Sequence, residues 1–136
     1  MPERTLLIIK PDAVSRNAIG DILKRVEDKG FKIQQMRMTR FTREEATRFY
    51  AVHEGQPFFD GLIDFMSSGP VVPAALERDD AVSILREIIG VTDSAKAAEG
   101  TIRREFGTTV QRNAVHASDS PETAEDEIAF FFGDST

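Results

Sequence analysis

Apolar positions along this chain recur with two different periods. Thr5-Leu6-Leu7-Ile8-Ile9 is an unbroken β-favouring run closed by Lys10-Pro11-Asp12. It predicts a buried strand ending in a turn, with Lys10 at its C-terminal edge. Ile19, Ile22, Leu23 and Val26 then fall at i, i+3, i+4 and i+7, with Gly30 placed to stop the chain turning. That spacing predicts an amphipathic helix, with a second strand from Phe31. Thr42-Arg43-Glu44-Glu45 carries the Thr-x-x-Glu capping box, followed by Ala46, Phe49, Tyr50 and His53 along one helical face. Phe58 to Met66 fits helical spacing twice over, through Phe59/Leu62/Ile63/Met66 and Phe58/Leu62/Phe65, and so has more apolar surface than one stripe needs.

The second half continues in the same style. Ser68-Gly69-Pro70 breaks the helix, and Val71 to Leu76 reads as a strand in which Pro73, lacking an N–H, suggests an edge or a bulge. Asp79 or Asp80 is placed to cap a helix with the stripe Ala81, Ile84, Leu85 and Ile88, ended by Gly90; Arg86 lies off that stripe. Residues 91–114 show no sustained period, and so long a stretch in a compact domain is usually functional. Ser120-Pro121 has the chemistry of a helix start, predicting a short acidic helix before a last buried strand at Ile128–Phe132. The predicted order is β-α-β-α-α-β-α-loop-α-β, an α+β sandwich with one layer of sheet.

Composition and charge narrow the class. A chain of 136 residues without repeats or linkers is expected to form a single domain, 1–136. Zero Cys excludes disulfide scaffolds, thiolate metal sites and thiol nucleophiles. No apolar run is long enough to cross a membrane, and Met1-Pro2-Glu3-Arg4 does not open a secretory leader, so a soluble cytoplasmic protein is the expectation. The net charge of −6 is local. Residues 1–112 balance, and the whole excess comes from Asp119, Glu122, Glu125, Asp126, Glu127 and Asp134. An acidic chain is a poor non-specific nucleic-acid binder, whereas a pocket can still gather a few cations around a small anion.

Candidate chemistry is sparse. Neither Gly-x-x-x-x-Gly-Lys-Ser/Thr nor Gly-x-Gly-x-x-Gly occurs, which removes the P-loop and Rossmann sites, and two His are too few for a multi-His metal centre. His53 at the end of an amphipathic helix reads as structural. His116 lies in Asn113-Ala114-Val115-His116-Ala117-Ser118-Asp119-Ser120, where small neighbours leave room around the ring and acidic residues follow. A neutral imidazole can attack through one nitrogen while a carboxylate holds the other as N–H, although local satisfaction by Asp119 fits the same residues. Lys10, Arg86 and Arg103 suit a phosphate if they converge, and spacing alone does not show that they do.

Four segments together carry a family resemblance: Thr5-Leu-Leu-Ile-Ile-Lys-Pro-Asp-Ala-Val14, Phe65-Met-Ser-Ser-Gly-Pro-Val-Val72, Gly100-Thr-Ile-Arg103 and Asn113-Ala-Val-His-Ala-Ser-Asp-Ser120. The chain closely resembles the nucleoside diphosphate kinases from end to end. The resemblance implies a ferredoxin-like βαββαβ sandwich, a four-stranded antiparallel sheet with helices packed on it. It also implies transfer of the γ-phosphate of a nucleoside triphosphate to a nucleoside diphosphate, by a ping-pong route through a phosphohistidine and with broad base specificity. His116 matches the nucleophile and Glu127 its orienting carboxylate, with Ser118 supporting the pair. Lys10, Tyr50, Arg86, Thr92, Arg103 and Asn113 match positions that hold the phosphates, the sugar hydroxyls or the transferring group. Phe58 matches the base-stacking residue, with Leu62 and Val110 beside it.

The same resemblance implies Mg²⁺ carried by the nucleotide phosphates rather than by protein side chains, and a homo-oligomer, tetramer or hexamer, built from dimers. Three departures stand out. Ala117 follows the active His where Gly is common, Ser94 stands where many relatives have Pro, and Pro73 interrupts a strand usually free of it. The alternatives are a non-catalytic nucleotide-binding or interaction module of the same fold, and a phosphohydrolase that passes the phosphoryl group from His116 to water.

Overall fold

A computed structural model describes residues 2–133. Asp134, one of the six residues of the acidic excess, lies outside them, as does Met1. Four strands form one antiparallel sheet in the order β2-β3-β1-β4. They are β1 (Pro2–Ile9), β2 (Lys32–Met36), β3 (Val72–Asp79) and β4 (Val115–Ala117). Seven helices surround it: α1 (Pro11–Ser15), α2 (Ile19–Asp28), α3 (Arg43–Phe49), α4 (Phe59–Met66), α5 (Ala81–Ile89), α6 (Ile102–Phe106) and α7 (Pro121–Phe132). The β1-α2-β2-β3-α5-β4 path through that strand order is the expected ferredoxin-like arrangement.

Strand β1 sits inside the sheet with apolar layers on both faces, which is why its second half, Leu6–Ile9, is continuously apolar rather than alternating. Leu7 and Ile9 pack with Ile22 and Val26 of α2, Leu85 and Ile89 of α5 and Ile102 of α6. Leu6 and Ile8 pack on the opposite face with Phe41, Ala46, Ile63, Met66, Ile128 and Phe131 from the α3, α4 and α7 side. Side chains alternate along a strand, so a residue's number in β1 or β4 decides which layer it enters.

Several expectations change in the folded chain. The last strand is β4 around His116, and the run Ile128–Phe132 is the second half of a twelve-residue helix. An apolar run that short does not distinguish strand from buried helix. The deciding pattern is Ala124, Ile128 and Phe131, buried at i, i+4 and i+7. Ser120 does cap α7 as expected, its hydroxyl accepting from the Thr123 amide at 3.1 Å. Asp80 is the cap residue of α5 but makes no capping hydrogen bond with its side chain. Asp80 occupies the cap position with φ 54°, and Glu3 of β1 accepts the Val82 amide at 2.8 Å instead.

Pro73 lies at neither an edge nor a bulge. Strand β3 is interior, and the register shift falls between Ile33 and Gln35 on β2. Arg37 donates to the Pro73 carbonyl at 3.3 Å, so the missing N–H faces a neighbour whose strand has already ended at Met36. The featureless stretch 91–114 contains a 3-10 turn at Ser94–Lys96 and the five-residue α6, both too short to leave a period. The capping box of α3 forms as read: Thr42 accepts from Glu45 N at 3.0 Å, and Glu45 reaches back to Thr42 N at 2.9 Å. That helix stops at Phe49, so Tyr50 is its terminal cap and His53 belongs to the following 3-10 turn.

Candidate active site

Strand β4 places His116. Its register sets His116 opposite Ile8, on the face shared by α3, α4 and α7. Helix α7 crosses that face, and Glu127 Oε1 lies 2.9 Å from His116 Nε2. The same oxygen accepts the Ser118 hydroxyl at 2.7 Å, and Ser118 Oγ in turn accepts the Leu6 amide of β1 at 3.2 Å. A carboxylate only accepts, so Nε2 carries the proton and Nδ1 keeps its lone pair. The misread run 128–132 matters here, because it is the helical form of 121–132 that brings Glu127 to the ring.

Aromatic rings wall the imidazole. Phe49 stands edge-on to it at 5.5 Å between centroids and Tyr50 edge-on at 6.1 Å. Tyr50 Oη is buried with no hydrogen-bond partner among the described residues. Burial, reinforced by the Glu127 charge, pushes the phenol well above its ordinary range, so Tyr50 stays neutral and keeps its proton to donate. His53 lies between Tyr50, 6.5 Å away and stacked, and Phe58 at 5.4 Å.

The cations do converge. Lys10, at the end of β1, is buried and donates to Asn113 Oδ1 at 2.8 Å, while Asn113 Nδ2 donates to the Thr92 carbonyl at 3.0 Å. Burial and the nearby Arg103 charge lower the Lys10 ammonium to about 8, with Asp12 opposing them. Arg103, also buried, reaches from α6 to Val115 O at 3.0 Å and Gly90 O at 3.1 Å. Burial, then the Arg86 charge, lowers it to about 10. Arg86 is exposed on α5 and points to Ala117 O at 3.4 Å. Among the described residues none of the three is ion-paired to a carboxylate, an arrangement suited to an anion with several negative charges.

The base-side residues separate. Phe58 is 50% exposed at the start of α4, and Val110 is 57% exposed. Both are free to meet a ligand. Leu62 is half-buried and packs on the α3/α4/α7 core, so its core role is present whatever else it does. A Cβ at Gly61 would lie 3.0 Å from Gln111 Nε2, so α4 and the loop bearing Val110 approach each other one residue from Leu62 and from Val110. Thr92 is exposed beside the Asn113 contact.

Two contributors escaped the sequence reading. Phe49 looked like a core residue, and no signal in its spacing marks the His116 contact. Asp12 was visible only as part of a turn; it is buried, and its Oδ2 accepts the Ala114 amide at 3.0 Å. Ala117 after the histidine is in ordinary strand geometry, and the left-handed residue of this segment is Ala114, at φ 73°.

Known proteins carry the comparison further. The family model for nucleoside diphosphate kinase matches residues 3–136. The nucleoside diphosphate kinase of Salinibacter ruber is 54% identical over 104 residues, covering 76% of this chain and 73% of that protein. Nucleoside diphosphate kinase 1 of Protochlamydia amoebophila is 52% identical over 130 residues, 96% of this chain and 92% of that one. The Aquifex aeolicus nucleoside diphosphate kinase structure superposes with a TM-score of 0.95 at 54% identity, covering 97% and 96% of the two chains. The halophilic enzyme of Halobacterium salinarum, solved in complex with CDP, gives 0.95 at 44% identity over 98% and 90%. A match spanning residues 3–136, with these identities and a shared fold, makes the chain a member of the nucleoside diphosphate kinase family, a phosphotransferase with that family's activity.

Proposed function

We propose that the γ-phosphate passes through His116 Nδ1 in two steps and that 1–136 acts as one such domain. The observation that carries this reading is the shared oxygen of Glu127, which leaves Nδ1 as the ring's free lone pair. In the first step Nδ1 forms a bond to the γ-phosphorus and the bond to the β-phosphate oxygen breaks, so the nucleoside diphosphate leaves with the electron pair. In the second, a terminal oxygen of another nucleoside diphosphate attacks the phosphohistidine and the pair returns to Nδ1. Glu127 keeps the Nε2 proton and offsets the positive charge on the phosphorylated ring.

Lys10, Arg86 and Arg103 offset charge on the phosphate oxygens, and the unpaired Tyr50 hydroxyl donates to the group in transfer. Asn113 and Thr92 line the phosphate and sugar end, while Phe58 stacks the base with Leu62 and Val110 beside it. A ring that stacks without reading base edges accepts every base. The CDP complex of the Halobacterium relative involves a ligand of the same class.

Among the described residues no group of three or more His, Asp or Glu is arranged to hold a metal ion. Mg²⁺ carried by the nucleotide phosphates would supply further charge neutralisation. Among the described residues no helix is long and apolar enough to cross a membrane. A cytoplasmic homo-oligomer built from dimers, as tetramer or hexamer, completes the proposal.

Incubation with γ-labelled ATP and GDP tests it. Labelled GTP with a transient acid-labile phosphoprotein is expected, and His116→Ala should remove both. Inorganic phosphate as the main product would favour the hydrolase, and no turnover the non-catalytic module. Undiminished phosphoprotein in His116→Ala would overturn the mechanism.

A further inference from the structure

The segment that bears the nucleophile contains a residue in an uncomfortable conformation. Ala114 adopts φ 73°, one of three non-glycine residues with positive φ among those described. Its side chain is fully buried, its amide donates to Asp12 Oδ2 at 3.0 Å, and its carbonyl accepts the Lys10 amide at 2.8 Å. The turn at Ala114 points the residues on either side of it to different tasks. Asn113 reaches Lys10 Nζ, and Val115 begins β4, which seats His116 opposite Ile8. Asp12 is itself buried, in the first turn of α1, and its other oxygen has no partner among the described residues. A buried carboxyl group held with one oxygen unsatisfied is costly, so a core needing only bulk there would be better served by an apolar side chain.

We propose that Asp12 is a positioning residue for phosphoryl transfer: by holding the Ala114 amide it fixes the left-handed turn that carries Asn113 to Lys10 and His116 to Glu127. Asp12 touches neither reacting atom and acts through the backbone of the 113–116 segment. The residue type at 114 leaves the segment dependent on this tether, because alanine resists positive φ where glycine would not. Local strain of this kind persists only where neighbours enforce it.

This inference rests on the phosphohistidine reading, and the experiment separates the two. The rate of His116 phosphorylation by ATP, the number of phosphorylatable sites and steady-state exchange are measured on the full chain. Wild type that forms no phosphohistidine would sink the functional reading. With wild-type phosphorylation established, every remaining outcome bears on Asp12.

Asp12→Ala is expected to lower the phosphorylation rate per phosphorylatable site by about 10 to 100-fold, as loss of an orienting partner does, with KM moving less than kcat. Ala114→Gly, which adopts the same φ unaided, should recover at least about 5-fold of that loss in the double variant. A residue that merely supported the fold would change the number of active sites, not the rate at each, and would gain nothing from Ala114→Gly. Asp12→Asn keeps an acceptor for the amide and should stay within about 5-fold of wild type. It carries the test if Asp12→Ala does not fold, and a loss of 100-fold or more there overturns the proposal. So does a wild-type rate in Asp12→Ala, or an impaired Asp12→Ala that Ala114→Gly leaves unchanged.

Discussion

Ser118 donates its hydroxyl at 2.7 Å to Oε1 of Glu127, the oxygen that also faces His116 Nε2 at 2.9 Å. The carboxylate is thus held from the residue just past β4 by a side chain that is itself tied to the Leu6 amide in the interior of the sheet. Glu127→Gln replaces that oxygen's charge with a weaker acceptor, and turnover should fall by about 10 to 100-fold with nucleotide affinity nearly unchanged. Ser118→Ala leaves the charge but frees the carboxylate to swing, so a smaller loss of about 3 to 10-fold is expected. Steady-state kinetics on both variants check this. Glu125 makes a poor control because it pairs with Arg4. Exposed Asp126→Asn is the better one and should behave as wild type. Equal, small effects at 126 and 127 would show that α7 does not orient the ring.

On the proposed reading Lys10 sets a pH limit on the free enzyme. Its ammonium, lowered to about 8, is charged below that pH and increasingly neutral above it, so the phosphate site loses a cation as pH rises. Because kcat/KM reports the free enzyme, it should decline above about pH 8. Bound phosphates favour the charged form, so kcat should decline only at higher pH. Rate profiles from pH 6 to 10 at saturating and limiting nucleotide distinguish the two limbs; a flat kcat/KM through pH 9 would show that Lys10 does not lose its charge in this range.

The same shift enters folding with a definite sign. The folded pKa lies below the ordinary value of 10.5, so between about pH 8 and 10.5 the unfolded chain binds more protons and stability rises with pH as far as Lys10 is concerned. Lys10→Met should abolish exchange while narrowing this rise, readable as a weaker pH dependence of the denaturant midpoint over that window.

Tyr50 is expected to trade stability for rate. Its hydroxyl is buried and unpartnered among the described residues, so Tyr50→Phe removes a desolvated donor and should gain about 1 kcal/mol, or about 3 °C in Tm. Turnover should fall about 10-fold as the transferring group loses that donor. A variant less stable than wild type would mean the hydroxyl is already satisfied in the free enzyme.

Phe58 offers the cleanest ligand-side test because half of it is exposed. Phe58→Ala should weaken purine and pyrimidine nucleotides alike, by about 1 to 3 kcal/mol, with little change in Tm. A loss confined to one base would reveal edge recognition instead.

The sequence made some of this legible and hid the rest for physical reasons. Helices α2 and α5 were visible because each buries one stripe, and α3 because its cap is chemical as well as periodic. Strand β4 was hidden: three residues give no alternation to count, and the apolar run downstream offered a more attractive strand. The motif around His116 singled it out as the candidate nucleophile, yet only the fold shows which nitrogen faces Glu127. Lys10 and Arg103, each read alone, resemble surface charges; burial is a property of the assembled sheet ends. Asp12 and Phe49 carry no sequence signal of their roles, because both act through partners far away along the chain.

That distance has a kinetic meaning. Strand β1 meets β4 and its flanks through contacts such as Lys10 to Asn113 and Leu6 to Ser118, separated by 103 and 112 residues. Closing such loops costs entropy before any contact rewards it, so a topology of this kind folds slowly compared with a helical bundle of equal size. During synthesis β1 leaves the ribosome long before β4 and α7 exist to meet it, and its unbroken apolar run must wait beside β3. On the proposed reading the phosphate pocket and the oriented histidine form in one late event, and a nascent chain stalled before Pro121 would hold Lys10, Arg86, Arg103 and His116 without the carboxylate that faces the ring.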